Sequence, residues 1–295
     1  MRGRHMKETQ LKELLCFMEE REEKLFQQEH PSSCGQILED IPYKDDHDVA
    51  HTLDILYPLK KRKQYPFILY VHGGGFCMHS KDKMYRTYAT RLAQDDFAVV
   101  NINYRLAPKA HYKDILYDVY QTMQFLSKHM TTYQLNQDQM ILCADSAGAY
   151  LAMKAICLWK QDNDLNKKLK CCGVASLCGI LDLEEFRNQA QFPLKKEIIH
   201  MLFCDDQIPP HASIFHEIDH TFPPVYLMDT EYRSFYTQAN QCYQILKSHR
   251  IPCQLHIFPK EERLRHNFQM RSTYPQSQRV LDELFHFFHD VIKSQ

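Results

Sequence analysis

The sequence predicts an α/β protein with a mostly parallel central sheet and helices on both of its faces. Two observations carry this. Phe67-Ile68-Leu69-Tyr70-Val71 and Met140-Ile141-Leu142-Cys143-Ala144 are apolar runs of strand length without polar alternation, as strands buried on both faces should be. Between such runs lie stretches with apolar residues at helical spacing, and that alternation builds a covered parallel sheet. At 295 residues with 44% hydrophobic content, the chain can fill the core of one large α/β domain.

Taken in order, the segment from about Lys7 to Glu29 is rich in Glu, Lys and Gln and carries Leu11, Leu14, Leu15, Met18, Leu25 and Phe26, which predicts an amphipathic helix. Tyr65-Pro66 opens the Phe67–Val71 strand, which ends at His72-Gly73-Gly74-Gly75. A helical stretch from about Met84 to Ala93 follows, then the β-rich run from Phe97 to Tyr104. Ile115, Val119, Met123 and Leu126 mark another helix before the Met140–Ala144 strand, and Leu151, Met153, Ile156 and Leu158 mark the helix after Ser146. In such sheets the chemistry collects beyond the carboxyl ends of the strands.

Two motifs fall there. His72-Gly73-Gly74-Gly75 offers backbone N–H groups without side-chain obstruction. Ala144-Asp145-Ser146-Ala147-Gly148 reads as a strand turning sharply into a helix and exposing a hydroxyl. Ser146 alone would serve as well for a helix N-cap; the preceding glycine loop makes the pair a serine-hydrolase site.

With these motifs the chain resembles an α/β-hydrolase of the hormone-sensitive-lipase-like esterase family, and also the related acyl hydrolases that include kynurenine formamidases. The likeness runs from about Leu53 to the C-terminus. It includes Leu53-Asp54-Ile55-Leu56-Tyr57-Pro58 as an early strand, Asn103-Tyr104-Arg105-Leu106-Ala107-Pro108, Pro223-Pro224-Val225-Tyr226-Leu227-Met228, and His266-Asn267-Phe268 where the family writes His-Gly-Phe. The resemblance implies that Ser146 attacks an acyl carbonyl and that His266 is the general base, in the order Ser, acid, His. It implies that the N–H groups of Gly74, Gly75 and Ala147 hold the oxyanion, and it calls for no metal or cofactor. Taken alone, His266 would be a surface histidine of the charged loop from Lys260 to Arg265.

The acid is where the sequence departs from the family. Aligning Glu231-Tyr232 onto the usual Glu-x pair puts Arg233 at the acid's position. Such a cation would disfavour a protonated His266, and losing the acid costs a serine protease roughly 10⁴ in rate. On an extended chain Glu231 is displaced from position 233 by about 6.6 Å, and Asp229 by about twice that, so neither stand-in reaches without rearrangement. Glu261 or Glu262 would have to fold back within the histidine loop. The acid is left unassigned. Ala144 and Ala149 replace glycines of the elbow by the least intrusive side chain.

His216-Glu217-Ile218-Asp219-His220 matches a zinc-protease pattern, but Pro209-Pro210 and Pro223-Pro224 bracket it too closely for a long helix, so no zinc is expected. A net charge of −1 argues against a nucleic-acid or anionic-membrane surface. No apolar stretch reaches the ~18 residues of a membrane span, and no signal peptide is expected. The 11 cysteines, Cys171-Cys172 among them and none in CxxC pairs, read as core thiols of a cytoplasmic protein. Residues 1–5 read as an expression remnant.

The expected organisation is a helical cap segment over 1–45 and a hydrolase domain over 46–295. A cap insertion is expected at about 183–222, with Phe186, Phe192, Ile198, Ile199, Met201, Leu202 and Phe203 as an apolar underside. Two function classes follow: an esterase for small or short-chain acyl esters, with an arylformamidase-like amide hydrolase as its close variant, and a degenerate hydrolase that binds a ligand or partner without turnover. A homo-oligomer is left open.

Overall fold

The structure is a computed structural model that describes residues 6, 8–190, 192, 194–204 and 207–294; the expected remnant over 1–5 lies outside them. In chain order the elements are α1 (Glu8–Phe26), β1 (Ile37–Pro42), β2 (Thr52–Leu56), β3 (Tyr65–Val71), α2 (Lys83–Leu92), β4 (Ala98–Ile102), α3 (Tyr112–His129), β5 (Leu135–Asp145) and α4 (Ser146–Gln161). They continue with α5 (Leu165–Lys168), β6 (Cys171–Leu177), α6 (Leu183–Asn188), α7 (Lys195–Phe203), β7 (Val225–Thr230), α8 (Tyr236–Ser248), β8 (Cys253–Phe258) and α9 (Pro275–Lys293).

The strands form one sheet in the order β1-β2-β4-β3-β5-β6-β7-β8. The β1–β2 and β2–β4 pairs are antiparallel; every pair from β4 across to β8 is parallel. Because β1 is hydrogen-bonded to β2, the sheet begins at Ile37, before the boundary expected at residue 46.

Pleating sorts the core. Phe67, Leu69 and Val71 of β3 face one apolar cluster with α3, α4 and α8, while Ile68 and Tyr70 face a second cluster with α2 and α9. Both faces are therefore buried, which is why these strands read as continuous apolar runs. The strand order reverses at β3: the chain moves outward to β4, then back past β3 to β5. The crevice at the carboxyl ends of β3 and β5 is the topological switch point, and both sequence motifs lie there. Among the described residues no helix is long and apolar enough to cross a membrane.

Candidate active site

The residue that follows β5 and starts α4 sets the geometry. Ser146 has φ +51°, a left-handed conformation that costs a side-chain-bearing residue on the order of 1–3 kcal/mol. Asp145 before it is extended, and the Ile180 N–H donates to Ser146 O at 3.0 Å, so the bend is held from outside the helix. A Cβ on Gly148 would come within 2.2 Å of Val71 O; only glycine lets α4 approach the end of β3 this closely. Ala144 and Ala149 are buried within this arrangement without disturbing it.

Opposite the bend, Gly74 and Gly75 have φ +109° and +60° and line the same cavity as Ser146. Their turn is closed by the N–H groups of Cys77 and Met78 donating to Gly74 O. The Tyr104 hydroxyl donates to His72 O at 2.7 Å, and its ring stacks on the imidazole with centroids 4.3 Å apart. Burial holds His72 down to about 3, so this imidazole is neutral, and its Nδ1–H donates to Gly73 O. Ala147 lies in the first turn of α4, where backbone N–H groups have no intrahelical acceptor.

His266 Nε2 lies 2.9 Å from Ser146 Oγ. Its loop is tied to the end of β7 by the Thr230 hydroxyl donating to Leu264 O and by a parallel bridge between Tyr232 and Arg265. Asn267 follows in the left-handed region, and its side-chain amide donates to Asp145 Oδ2 at 2.9 Å, joining the histidine loop to the elbow. The hydroxyls of Tyr70 and Tyr85 also donate to Asp145. Burial pushes the Asp145 carboxyl up to about 7, against the effect of those donors. Burial also pushes His266 down to about 4, with the rings of Phe192 and Phe235 edge-on to it.

The position facing His266 Nδ1 is Ser234, whose Oγ lies 3.0 Å away, and not Arg233. Arg233 has φ +53°; its exposed side chain stacks over Tyr232 at 5.5 Å. The chain is not extended here: the backbone turns back at this residue and presents Ser234, not a carboxylate, to the imidazole. Asp229 is fully buried beside Ser234: its Oδ1 accepts from the Thr230 N–H at 2.7 Å, its Oδ2 is buried without a hydrogen-bond partner, and the Ser234 hydroxyl, the Phe235 N–H and the Cys178 thiol lie near enough to favour its anion against burial. Glu231 instead accepts from the Lys260 N–H, and Glu261 pairs with Arg263. Glu262 is exposed.

The cavity above Ser146 measures about 100 Å³ and is walled by Phe186, Phe192, Ile198 and Phe235, three of them from the expected cap. Met18 and Glu22 of α1 close its rim. It opens into a cleft of about 380 Å³ between α1 and the histidine loop. A larger depression beside Pro224 and Cys253 lies at the opposite, amino end of β7 and β8, away from this chemistry.

The zinc-like segment is not a helix. A single 3₁₀ turn ends at His216, while Glu217 and Asp219 pair with Lys154 and Lys160. All 11 cysteines are unpaired, but Cys16 and Cys204 are exposed, so not every thiol belongs to the core. Ser234, Tyr104 and Asn267 escaped sequence reading; Asn267, standing in a glycine position, carried the one signal that pointed to it.

Residues 53–234 match the BD-FAE family. The acetyl esterase of Salmonella paratyphi B is 26% identical over 207 residues, covering 65% of this chain, and that of Salmonella typhi is 25% identical over the same length. The chain spans about 62% of the length of these curated relatives. Esterase B from Lactobacillus rhamnosis superposes with a TM-score of 0.86 at 21% identity, over 97% of this chain and 95% of that one. The Pyrobaculum calidifontis esterase does so with 0.79 at 16% identity, over 100% and 95%. With its family matched over more than half its length and its sheet superposing on solved esterases, the chain belongs to the BD-FAE family and carries the α/β-hydrolase fold.

Proposed function

We propose that the protein hydrolyses short-chain carboxylic esters through an acyl-enzyme, with Ser146 as nucleophile and His266 as general base. The observation that carries this is the 2.9 Å contact between His266 Nε2 and Ser146 Oγ beside the glycine turn. As Ser146 Oγ bonds to the acyl carbon, its proton passes to Nε2 and the carbonyl electrons move onto oxygen, facing the N–H groups of Gly74, Gly75 and Ala147. Collapse expels the alcohol, which takes the proton from His266. Water then repeats the cycle and releases the acid.

A cavity of about 100 Å³, roughly the liquid share of three water molecules, supports a short acyl chain. The relatives point the same way: the two curated Salmonella relatives are acetyl esterases, and esterase B has been solved with a tributyrin phosphonate inhibitor. The unpaired cysteines support a reducing, cytoplasmic location.

A fluorophosphonate probe on the folded protein tests the reading. It should label Ser146, and Ser146→Ala should lower p-nitrophenyl acetate turnover by at least about 10³-fold. Failure to label, with turnover indifferent to Ser146→Ala, would leave a binding protein on a hydrolase scaffold.

A further inference from the structure

Resting on that reading of Ser146 and His266, we propose that Ser234 and Asp229 together replace the absent triad acid: the Ser234 hydroxyl accepts the His266 Nδ1–H and donates its own hydrogen to the ionised Asp229 carboxylate. Both are positioning residues, acting on the substrate only through His266.

The argument turns on the direction of a hydrogen-bond chain. A general base at Nε2 needs its lone pair free for the Ser146 hydroxyl, so the imidazole hydrogen must sit on Nδ1. Ser234 stands 3.0 Å from Nδ1, and a hydroxyl can either donate or accept there. Were it to donate to Nδ1, the imidazole hydrogen would move to Nε2 and His266 could not take a proton from Ser146. An ionised carboxylate only accepts. Asp229, beside Ser234 and with its Oδ2 buried and unpartnered, draws the hydroxyl hydrogen to itself and leaves the Oγ lone pair for Nδ1–H. No proton leaves Nδ1 in this scheme. The same chain stabilises the imidazolium that forms during attack, because the Asp229 charge polarises the hydroxyl between them.

Several features oppose the effect of burial on Asp229 and favour its anion. The Thr230 N–H donates to its Oδ1, and the nearby Ser234 hydroxyl, Phe235 N–H and Cys178 thiol favour the charged form. The backbone around Arg233 makes the juxtaposition. Its left-handed φ of +53° turns Ser234 inward over the carboxylate and sends the guanidinium outward onto Tyr232. The cation at the family's acid position therefore stands outside the site, and the acid is supplied from the strand end beneath it. The groups facing His266 are Ser146 on Nε2, Ser234 on Nδ1, the rings of Phe192 and Phe235, and, at longer range, the Glu22 carboxylate of α1.

Steady-state kinetics on p-nitrophenyl acetate with the full chain tests this. Asp229→Asn should lower kcat by on the order of 10²- to 10⁴-fold with KM little changed, since the acyl cavity is untouched. Ser234→Ala should fall in the same range, whereas Ser234→Thr, which keeps the hydroxyl, should stay within about tenfold of the parent. The paired change Ser234→Asp with Asp229→Ser puts a carboxylate directly against Nδ1 and should recover at least about tenfold over Asp229→Asn, a rescue that a packing role would not give. Should Asp229→Asn fail to fold, the Ser234→Ala and Ser234→Thr pair carries the test. The relay is overturned if Ser234→Ala retains kcat within about threefold of the parent while Ser146→Ala abolishes turnover. Turnover indifferent to Ser146→Ala would instead sink the hydrolase reading beneath it.

Discussion

Asp229 and Asp145 are fully buried carboxyls at the ends of β7 and β5, on either side of β6, and burial pushes each up to about 7. Only Asp229 is linked to His266 through Ser234; Asp145 bonds to Tyr70, Tyr85 and Asn267. A neutral Asp229 becomes a donor, reverses the chain through Ser234 and places the imidazole hydrogen on the wrong nitrogen. Since burial holds His266 itself down to about 4, the histidine is already neutral well below that change. The expected outcome is that kcat/KM rises as pH increases through about 7, following Asp229 ionisation. In Asp229→Asn this step should vanish and leave a low rate that is flat down to about pH 4. A step near 7 that survives the substitution would belong to Asp145 and contradict the relay. Ser146, His266 and the glycines, which the structure brings together around one cavity, were legible at this scale because each stands in a motif whose chemistry demands that residue type. Ser234 was not, and Asp229 was named only as a distant stand-in, because their meeting depends on one left-handed residue, Arg233, and nothing in its identity announces φ +53°.

At the scale of elements, α1 reads from its sequence as an amphipathic helix, but what it covers does not. The structure docks it beside the cavity through acidic side chains. Glu19 accepts from the His79 N–H at 3.1 Å, Glu22 lies 2.8 Å from His79 Nε2, and Lys83 pairs with Glu23. Burial would lower the His79 pKa, but the hydrogen bonds and charges of Glu19 and Glu22 outweigh it and hold the imidazolium up to about 9. A histidine whose folded pKa is raised contributes stability that is whole below its unfolded value of 6.5 and is lost as pH rises through about 9. The contact between α1 and the loop after the glycine turn should weaken across that window. Limited proteolysis should cut within 8–26 faster at pH 9.5 than at pH 6.5, relative to a peptide control, and His79→Ala should be cut readily at both. Equal protection of the parent across this range would show that Leu11 and Leu15, buried on the same helix, hold it without help from charge.

Over the whole molecule, the sheet separates two apolar clusters, and one of them supplies most of the cavity's apolar wall. The layer order was legible because the central strands are apolar on both sides and the helices are not. The sheet's first edge was missed because β1 has a broken register and alternates no clear face, with Asp40 in the left-handed region. The cluster under α2 and α9 supports the carboxyl ends from behind and contributes Tyr85 to the cavity wall. Phe288 of α9 is fully buried there, edge-on to Phe97 with centroids 5.7 Å apart, and also packs near Phe285 and Phe287. Removing its ring leaves a void that close-packed neighbours cannot refill, so Phe288→Ala should cost about 3–5 kcal/mol of unfolding free energy. That is a large share of the 5–15 kcal/mol typical of a domain. Because the sheet lies between this void and Ser146, kcat measured well below the lowered Tm should stay within about threefold of the parent. Urea unfolding followed by tyrosine and tryptophan fluorescence reads the first quantity and p-nitrophenyl acetate turnover the second. A loss of stability below about 1 kcal/mol would mean that α9 does not close this face as described. A fall in kcat with folding intact would mean instead that the rear cluster sets the bend at Ser146, and that scaffold and site are not separable in this fold.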